Sequence, residues 1–351
     1  MKTFEKLLAL WVVLCMGLGL LLSQTFPGIG ETIESWQIRG ISIPIGICLF
    51  FMMYPALMNL QMSEVKKLRQ QPKPILLALF SNWIIAPIVG AVLAHVFLKG
   101  NEQLMVAVIL LSSSPCTAMV LVWGKLAQGN QEQNVINTSI NTITILFLYV
   151  PVVGLLTGIQ NIAVDRVALL LSALIFIGLP LVLALVSKSL LTRYKGKAWF
   201  EGTYRPVIEK ISIAALLTTL VVLFSLNGNV LLTNFNQLLL VSIPLLLGFV
   251  IVVGYNLLIT RLFGLQYREA IITVLIGSSS HFEIAIATAV SMYGVGSIAA
   301  LGTTMGLFWE VPIMLGLVFL GKYLGKRGFW KIALPNAIPQ AGGVEAEMSP
   351  K

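Results

Sequence analysis

Two short stretches carry nearly all the reactive groups that this chain places inside apolar sequence. Leu111 to Val120 reads L-S-S-S-P-C-T-A-M-V, and Gly277 to Ile286 reads G-S-S-S-H-F-E-I-A-I. The serines, of which Ser113, Ser114, Ser279 and Ser280 are the candidate ligand contacts, supply hydroxyls that can replace missing backbone partners or touch a substrate. Cys116 adds a thiol, a soft group suited to a thiophilic substrate. His281 can cap a helix break or shuttle protons.

The acids are as informative as the hydroxyls. Aspartate occurs once, at Asp165, and of thirteen glutamates only Glu283 and Glu310 lie well inside apolar runs. A charge at the centre of a bilayer costs roughly 2.5 to 3.5 kcal/mol on insertion scales, so such groups face cavities and carry ions or protons. Glu283, Glu310 and His281 are therefore the candidates for ion or proton coupling, the alternative being acids that hold two helices together. His281 and Glu283, two residues apart, would point to different faces of a regular helix, which makes a metal site from that pair weak. Asn82 and Asn256 fit hydrogen bonds between helices, and His95 fits a membrane interface. Cys15 and Cys48 read as small apolar fillers. An intramembrane hydrolase using Ser280 and His281 is disfavoured, since adjacent residues make a poor nucleophile and base pair. A passive pore is disfavoured as well, because the polar groups are not spread along a lining. No cofactor is expected.

The elements that must position these groups follow from composition. With 57% hydrophobic and 11% charged residues and a mean hydropathy of +0.92, the chain is an integral membrane protein. Windows of about 20 apolar residues, enough to span a bilayer as helices, fall at about 7–23, 40–60, 74–98, 104–123, 138–158, 167–188, 211–227, 237–260, 269–292 and 297–321. The predicted fold is all-α with ten transmembrane helices, the fourth and ninth broken at the serine triplets. Pro115 removes a helical hydrogen bond and disfavours helix at Ser114, and Gly277 with three serines makes a second break. Kinks made only for packing are the alternative. The first span lacks a cleavage site for a signal peptide and reads as a membrane helix.

The net charge of +9 reflects topology rather than nucleic-acid binding. With the N-terminus cytoplasmic, alternation of ten spans leaves Arg39, Lys99 and Arg166 outside and the other 20 of 23 basic residues inside. Both termini are thus expected in the cytoplasm of a cell whose plasma membrane holds the protein. The segment 331–351 is expected to be a disordered tail after a single membrane domain, 1–330.

The chain also repeats itself. L-F-x-x-V-P occurs at Leu146 to Pro151 and again at Leu307 to Pro312, 161 residues on, while the serine triplets stand 166 residues apart. Two five-helix halves of this kind must enter the membrane in opposite senses, which gives inverted repeats, a plan common among secondary transporters with midplane sites.

The segments P-C-T-A-M-V-L-V-W-G-K-L-A-Q-G (Pro115 to Gly129), F-E-I-A-I-A-T-A-V-S-M-Y-G (Phe282 to Gly294) and W-E-V-P-I-M-L (Trp309 to Leu315) resemble the arsenite efflux permeases of the bile acid/sodium symporter superfamily. The resemblance covers roughly 1–325. It implies panel helices at about 7–60 and 167–227 and core helices at about 74–158 and 237–321 that hold the crossed breaks. It implies further that Cys116 and Glu283 form the functional pair, in export of trivalent arsenic by proton exchange. The partners implied are a small inorganic substrate, a coupling proton or sodium ion and membrane lipid; no nucleic acid is expected, and the oligomeric state is left open. The chain departs from that family where a basic residue would precede the cysteine, since Pro115 stands there, and again at Ser280 and His281. A serine-proline break is closer to the sodium-coupled organic-anion branch, so symport of an organic anion with sodium is the alternative.

Overall fold

The computed structural model describes residues 8–26, 35–38, 41–58, 72–117, 119–226, 228, 235–294 and 296–331. Lys2, Lys6, Arg39, Lys66, Lys67, Arg69, Lys351 and the expected tail beyond Lys331 lie outside the described residues. Among those residues the chain is almost wholly helical: α1 (Leu8–Thr25), α2 (Ile43–Met58), α3 (Pro72–Leu98), α4 (Glu102–Ser112), α5 (Met119–Leu126), α6 (Gln131–Ile159), α7 (Arg166–Lys195), α8 (Lys197–Leu226), α9 (Phe235–Leu262), α10 (Tyr267–Gly277), α11 (Phe282–Tyr293) and α12 (Ile298–Lys326). A two-residue hairpin of β1 (Gln37–Ile38) and β2 (Ile41–Ser42) precedes α2. Six of the helices, α3, α6, α7, α8, α12 and the Leu239–Leu262 part of α9, are long and apolar enough to cross a membrane. Shorter apolar helices occupy the other windows, and the protein is a multi-pass membrane protein.

Polar residues mark where the helices begin. Asn101 caps α4 by accepting from the Leu104 amide, Asn130 caps α6 at Glu132 and Gln133, and Ser297 caps α12 at Ala300. The sole aspartate, Asp165, caps α7 at Val167 and Ala168. Leucine, isoleucine and valine side chains such as Val92, Val96, Leu155, Leu174, Val182 and Val250 remain exposed, as lipid-facing positions should. The Arg205–Leu226 part of α8 lies against α1 and α2, while α3, α4 and α9 pack together and α12 packs on α4 and α11.

The two predicted breaks are present. α4 ends at Ser112 and helix resumes at Met119; α10 ends at Gly277 and helix resumes at Phe282. Three π turns lie within long helices, at Ser81–Ile85, Leu174–Gly178 and Phe200–Tyr204. The first of them leaves the successive residues Ser81 and Asn82 both buried, facing the breaks.

Candidate functional site

The broken segments meet as a short antiparallel bridge with Pro115 opposite Ser280. The Cys116 amide donates to the Ser279 carbonyl at 3.4 Å, and the His281 amide donates to the Ser114 carbonyl at 2.6 Å. Those bonds flank Pro115 and Ser280, so the two residues occupy a non-hydrogen-bonded position, where neither amide points at the partner strand. A proline is tolerated there because it has no N–H to lose. Ser280, across from it, does have one, and that N–H needs another acceptor.

Glu310 of α12 provides it. The Ser280 amide donates to Oε1 at 3.0 Å, the Ser279 hydroxyl to Oε1 at 2.5 Å and the Ser280 hydroxyl to Oε2 at 2.5 Å. The carboxyl group thus binds three donors from one turn of irregular backbone. The other break is tied by asparagines. Asn141 Nδ2 of α6 donates to the Cys116 carbonyl at 3.0 Å, and Asn82 Nδ2 donates to Asn141 Oδ1 at 3.3 Å. Asn256 Nδ2 of α9 donates to Ser81 Oγ at 2.9 Å and Ser278 Oγ at 3.0 Å, while the Ser81 hydroxyl donates to the Gly277 carbonyl at 2.8 Å. Asn82 and Asn256 therefore make the bonds between helices that their types suggested. Asn141 was not singled out by sequence, although Asn134, Asn137 and Asn141 recur at helical spacing on one face of an apolar span.

His281 and Glu283 do meet, against expectation. His281 caps α11 with φ −105° and ψ 74°, off the helical spiral, so its ring folds back and Nδ1 lies 2.8 Å from Glu283 Oε2. The imidazole is buried and the Glu283 side chain 12% exposed. Among the described residues His281 Nε2 has no hydrogen-bond partner, nor do Ser113 Oγ, Thr117 Oγ1 or either polar atom of the Asn137 amide. Ser114 Oγ lies within bonding distance of two carbonyls, Leu111 at 3.1 Å and His281 at 3.3 Å. Cys116 is 3% exposed. Among the described residues no three metal-ligating side chains converge.

A cavity of about 70 Å³ borders the bridge, with Ser112, Ser114, Pro115, Ser279 and Ser280 on one wall and Val89, Gly90, Phe249 and Val252 among the apolar residues facing them. Cys116, His281, Glu283, Glu310 and Ser113 do not line it. Four of the wall hydroxyls donate inside the protein: Ser112 to the Ile109 carbonyl, Ser114 to Leu111 and His281, and Ser279 and Ser280 to Glu310. Their lone pairs are what remain for a ligand. The wall carries no lysine, arginine or histidine, so it suits a hydrogen-bond donor or a cation and gives an anion no positive charge.

Sequence comparison agrees with this architecture. A model of the "Sodium Bile acid symporter family" matches residues 46–234. The chain is 38% identical, over 94% of its length and 90% of the relative's, to an "Uncharacterized transporter slr0944" of Synechocystis sp.. It is 32% identical to an "Arsenical-resistance protein Acr3" of Alkaliphilus metalliredigens, over 90% of this chain and 91% of that one. It is 28% identical to a protein of the same name from Corynebacterium glutamicum, over 93% and 90%. The chain belongs to the sodium bile acid symporter family, a family of transporters and not of enzymes.

Proposed function

We propose that this protein exports trivalent arsenic, as the neutral hydroxide As(OH)3, from the cytoplasm across the plasma membrane in exchange for protons. The observation that carries this reading is the serine wall, which offers lone pairs and no positive charge. As(OH)3 has three hydroxyls to donate and no charge to neutralise. The two relatives named for arsenical resistance support the same substrate.

In this reading the protein has ten spans in two inverted five-helix repeats, with α4 and α5 forming the broken fourth span and α10 and α11 the broken ninth. Both termini are cytoplasmic. Panel helices α1, α2, α7 and α8 flank a core of α3 to α6 and α9 to α12. Ser114, Ser279 and Ser280 contact the substrate hydroxyls, with Ser113 nearby, and Cys116 supplies a soft contact from the bridge itself. Glu283, exposed enough to exchange protons and held by His281, carries the coupled proton. Both oxygens of Glu310 are occupied by Ser279 and Ser280, so its part is to hold the ninth-span break in shape.

The test is accumulation of mass-detected arsenite in everted membrane vesicles under an imposed pH or sodium gradient, comparing wild type with Cys116→Ala and Glu283→Gln. Accumulation driven by the pH gradient and lost in both variants is the expected result. A second reading, sodium-coupled symport of an organic anion, is favoured by one observation: Ser113 Oγ, Thr117 Oγ1 and Asn137 Oδ1 are buried oxygens near the first break without partners among the described residues. Oxygens of that kind suit a hard cation. Uptake that follows the sodium gradient and ignores arsenite would replace the first reading with the second.

A further inference from the structure

At the C-terminal end of α7 an open groove of about 500 Å³ is lined by Leu185, Lys188, Ser189, Thr192 and Arg193. We propose that this groove binds the phosphate of an anionic phospholipid, with the lipid's acyl chain lying along the apolar face of α7.

Three observations meet there. Leu185, Lys188/Ser189 and Thr192/Arg193 follow helical spacing, so they form one stripe, which continues toward the bilayer through the exposed Val182. A ligand with a charged head and an apolar tail matches that stripe along its whole length, and a free phosphate matches only its end. The stripe changes from apolar to basic where the apolar run 167–186 gives way to Lys188, Arg193, Lys195 and Lys197, which is headgroup depth for a spanning helix.

The second observation concerns the donors. The Ser187 hydroxyl turns back to the Leu183 carbonyl, as serines in helices commonly do. The hydroxyls of Ser189 and Thr192, in the groove, make no hydrogen bond among the described residues, and Arg193 forms no ion pair among them. Lys188 Nζ donates to the Met58 carbonyl of α2 at 3.0 Å, which fixes the ammonium at the groove's inner wall.

The third is charge. Between residues 188 and 210 stand Lys188, Arg193, Lys195, Lys197, Arg205 and Lys210 against Glu201 and Glu209 alone. Arg205 takes both acids, at 2.8 and 3.1 Å. Lys188 is half-buried and lies in the field of Glu201 as well as of Arg205 and Lys197, and a bound phosphate diester favours its charged form as a nearby opposite charge does.

The test is retention of phosphatidylglycerol by the full-length protein in phosphatidylcholine nanodiscs, read by native mass spectrometry after release. Arg193→Ala is expected to retain the lipid about fivefold less well than wild type, the change for one lost basic contact near a membrane surface, and Ser189→Ala with Thr192→Val, which removes two hydrogen-bond donors, is expected to retain it less well than wild type too. Arg166→Ala, at the opposite end of the same helix, is expected to retain it as wild type does, and all variants should melt with wild type in phosphatidylcholine alone. Retention unchanged in Arg193→Ala would overturn the proposal, as would an equal loss in Arg166→Ala. Displacement of the lipid by inorganic phosphate at equal concentration would also overturn it, by showing that the tail contributes nothing.

Discussion

Replacing Glu310 tests the account of the crossover most directly. Glu310→Ala removes the acceptor for the Ser280 amide and for the Ser279 and Ser280 hydroxyls. The Ser279 and Ser280 hydroxyls both border the cavity and can find water there, which leaves the Ser280 amide as the buried donor without a partner. At about 1 to 3 kcal/mol for a buried unsatisfied group, the expected loss is about 1 to 3 kcal/mol. Glu310→Gln keeps one oxygen, so two of the three donors remain satisfied but lose charge assistance, and a loss of about 1 to 2 kcal/mol is expected. The assay is reversible unfolding in detergent, with hydrogen exchange followed on peptides spanning residues 277–283. Adding Ser279→Ala to Glu310→Gln closes a double-mutant cycle, in which a coupling of about 1 kcal/mol is expected from groups in direct contact. A Glu310→Ala protein within about 0.5 kcal/mol of wild type, with unchanged exchange at residues 277–283, would refute the reasoning.

Three further outcomes follow from the same geometry. A methyl group at Gly277 would stand 2.8 Å from Asn256 Oδ1 and 2.9 Å from Nδ2, so Gly277→Ala should cost about 1 to 3 kcal/mol of unfolding free energy, while Gly154→Ala, whose methyl meets nothing within 4 Å, should cost nothing. Asn141→Leu removes one hydrogen bond to the Cys116 carbonyl; in a background lacking Cys15 and Cys48, the thiol of Cys116 should react faster with a small maleimide, and an unchanged rate would count against the tie. Trp330 is 3% exposed, donates to Thr260 Oγ1 at 3.1 Å and packs edge-on against Tyr267, so Trp330→Ala should lose about 3 to 5 kcal/mol in the same unfolding assay, with Trp330→Phe intermediate.

Local chemistry announced much of this structure. Pro115 after three serines and Gly277 before three serines located both interruptions, because those residue types disrupt helices wherever they sit. The apolar windows located the helices for a similar reason, since their lengths answer to the bilayer. What the sequence could not show was who meets whom. The Glu310 contact with Ser279 and Ser280 joins residues some thirty positions apart and depends on how α12 packs beside the bridge. The pairing of His281 with Glu283 escapes a helical reading of the sequence because His281 lies just outside the helix. Asn141 looked like one polar residue among several in an apolar span, and only the position of the Cys116 carbonyl gives it a task.

The bridge between Ser114–Cys116 and Ser279–His281 is held by main-chain atoms of both segments, and main-chain atoms do not change when side chains do. Pro115 sits where a missing amide does no harm, and of the groups around the cavity only the Ser114, Ser279 and Ser280 hydroxyls also brace the bridge. Substitution on the apolar side of the cavity, at Val89, Phe249 or Val252, can therefore retune what is carried without dismantling the carrier. A lineage built on such a frame can diversify in cargo faster than in shape, which fits a family whose members here keep nine-tenths of their length in common at about a third identity.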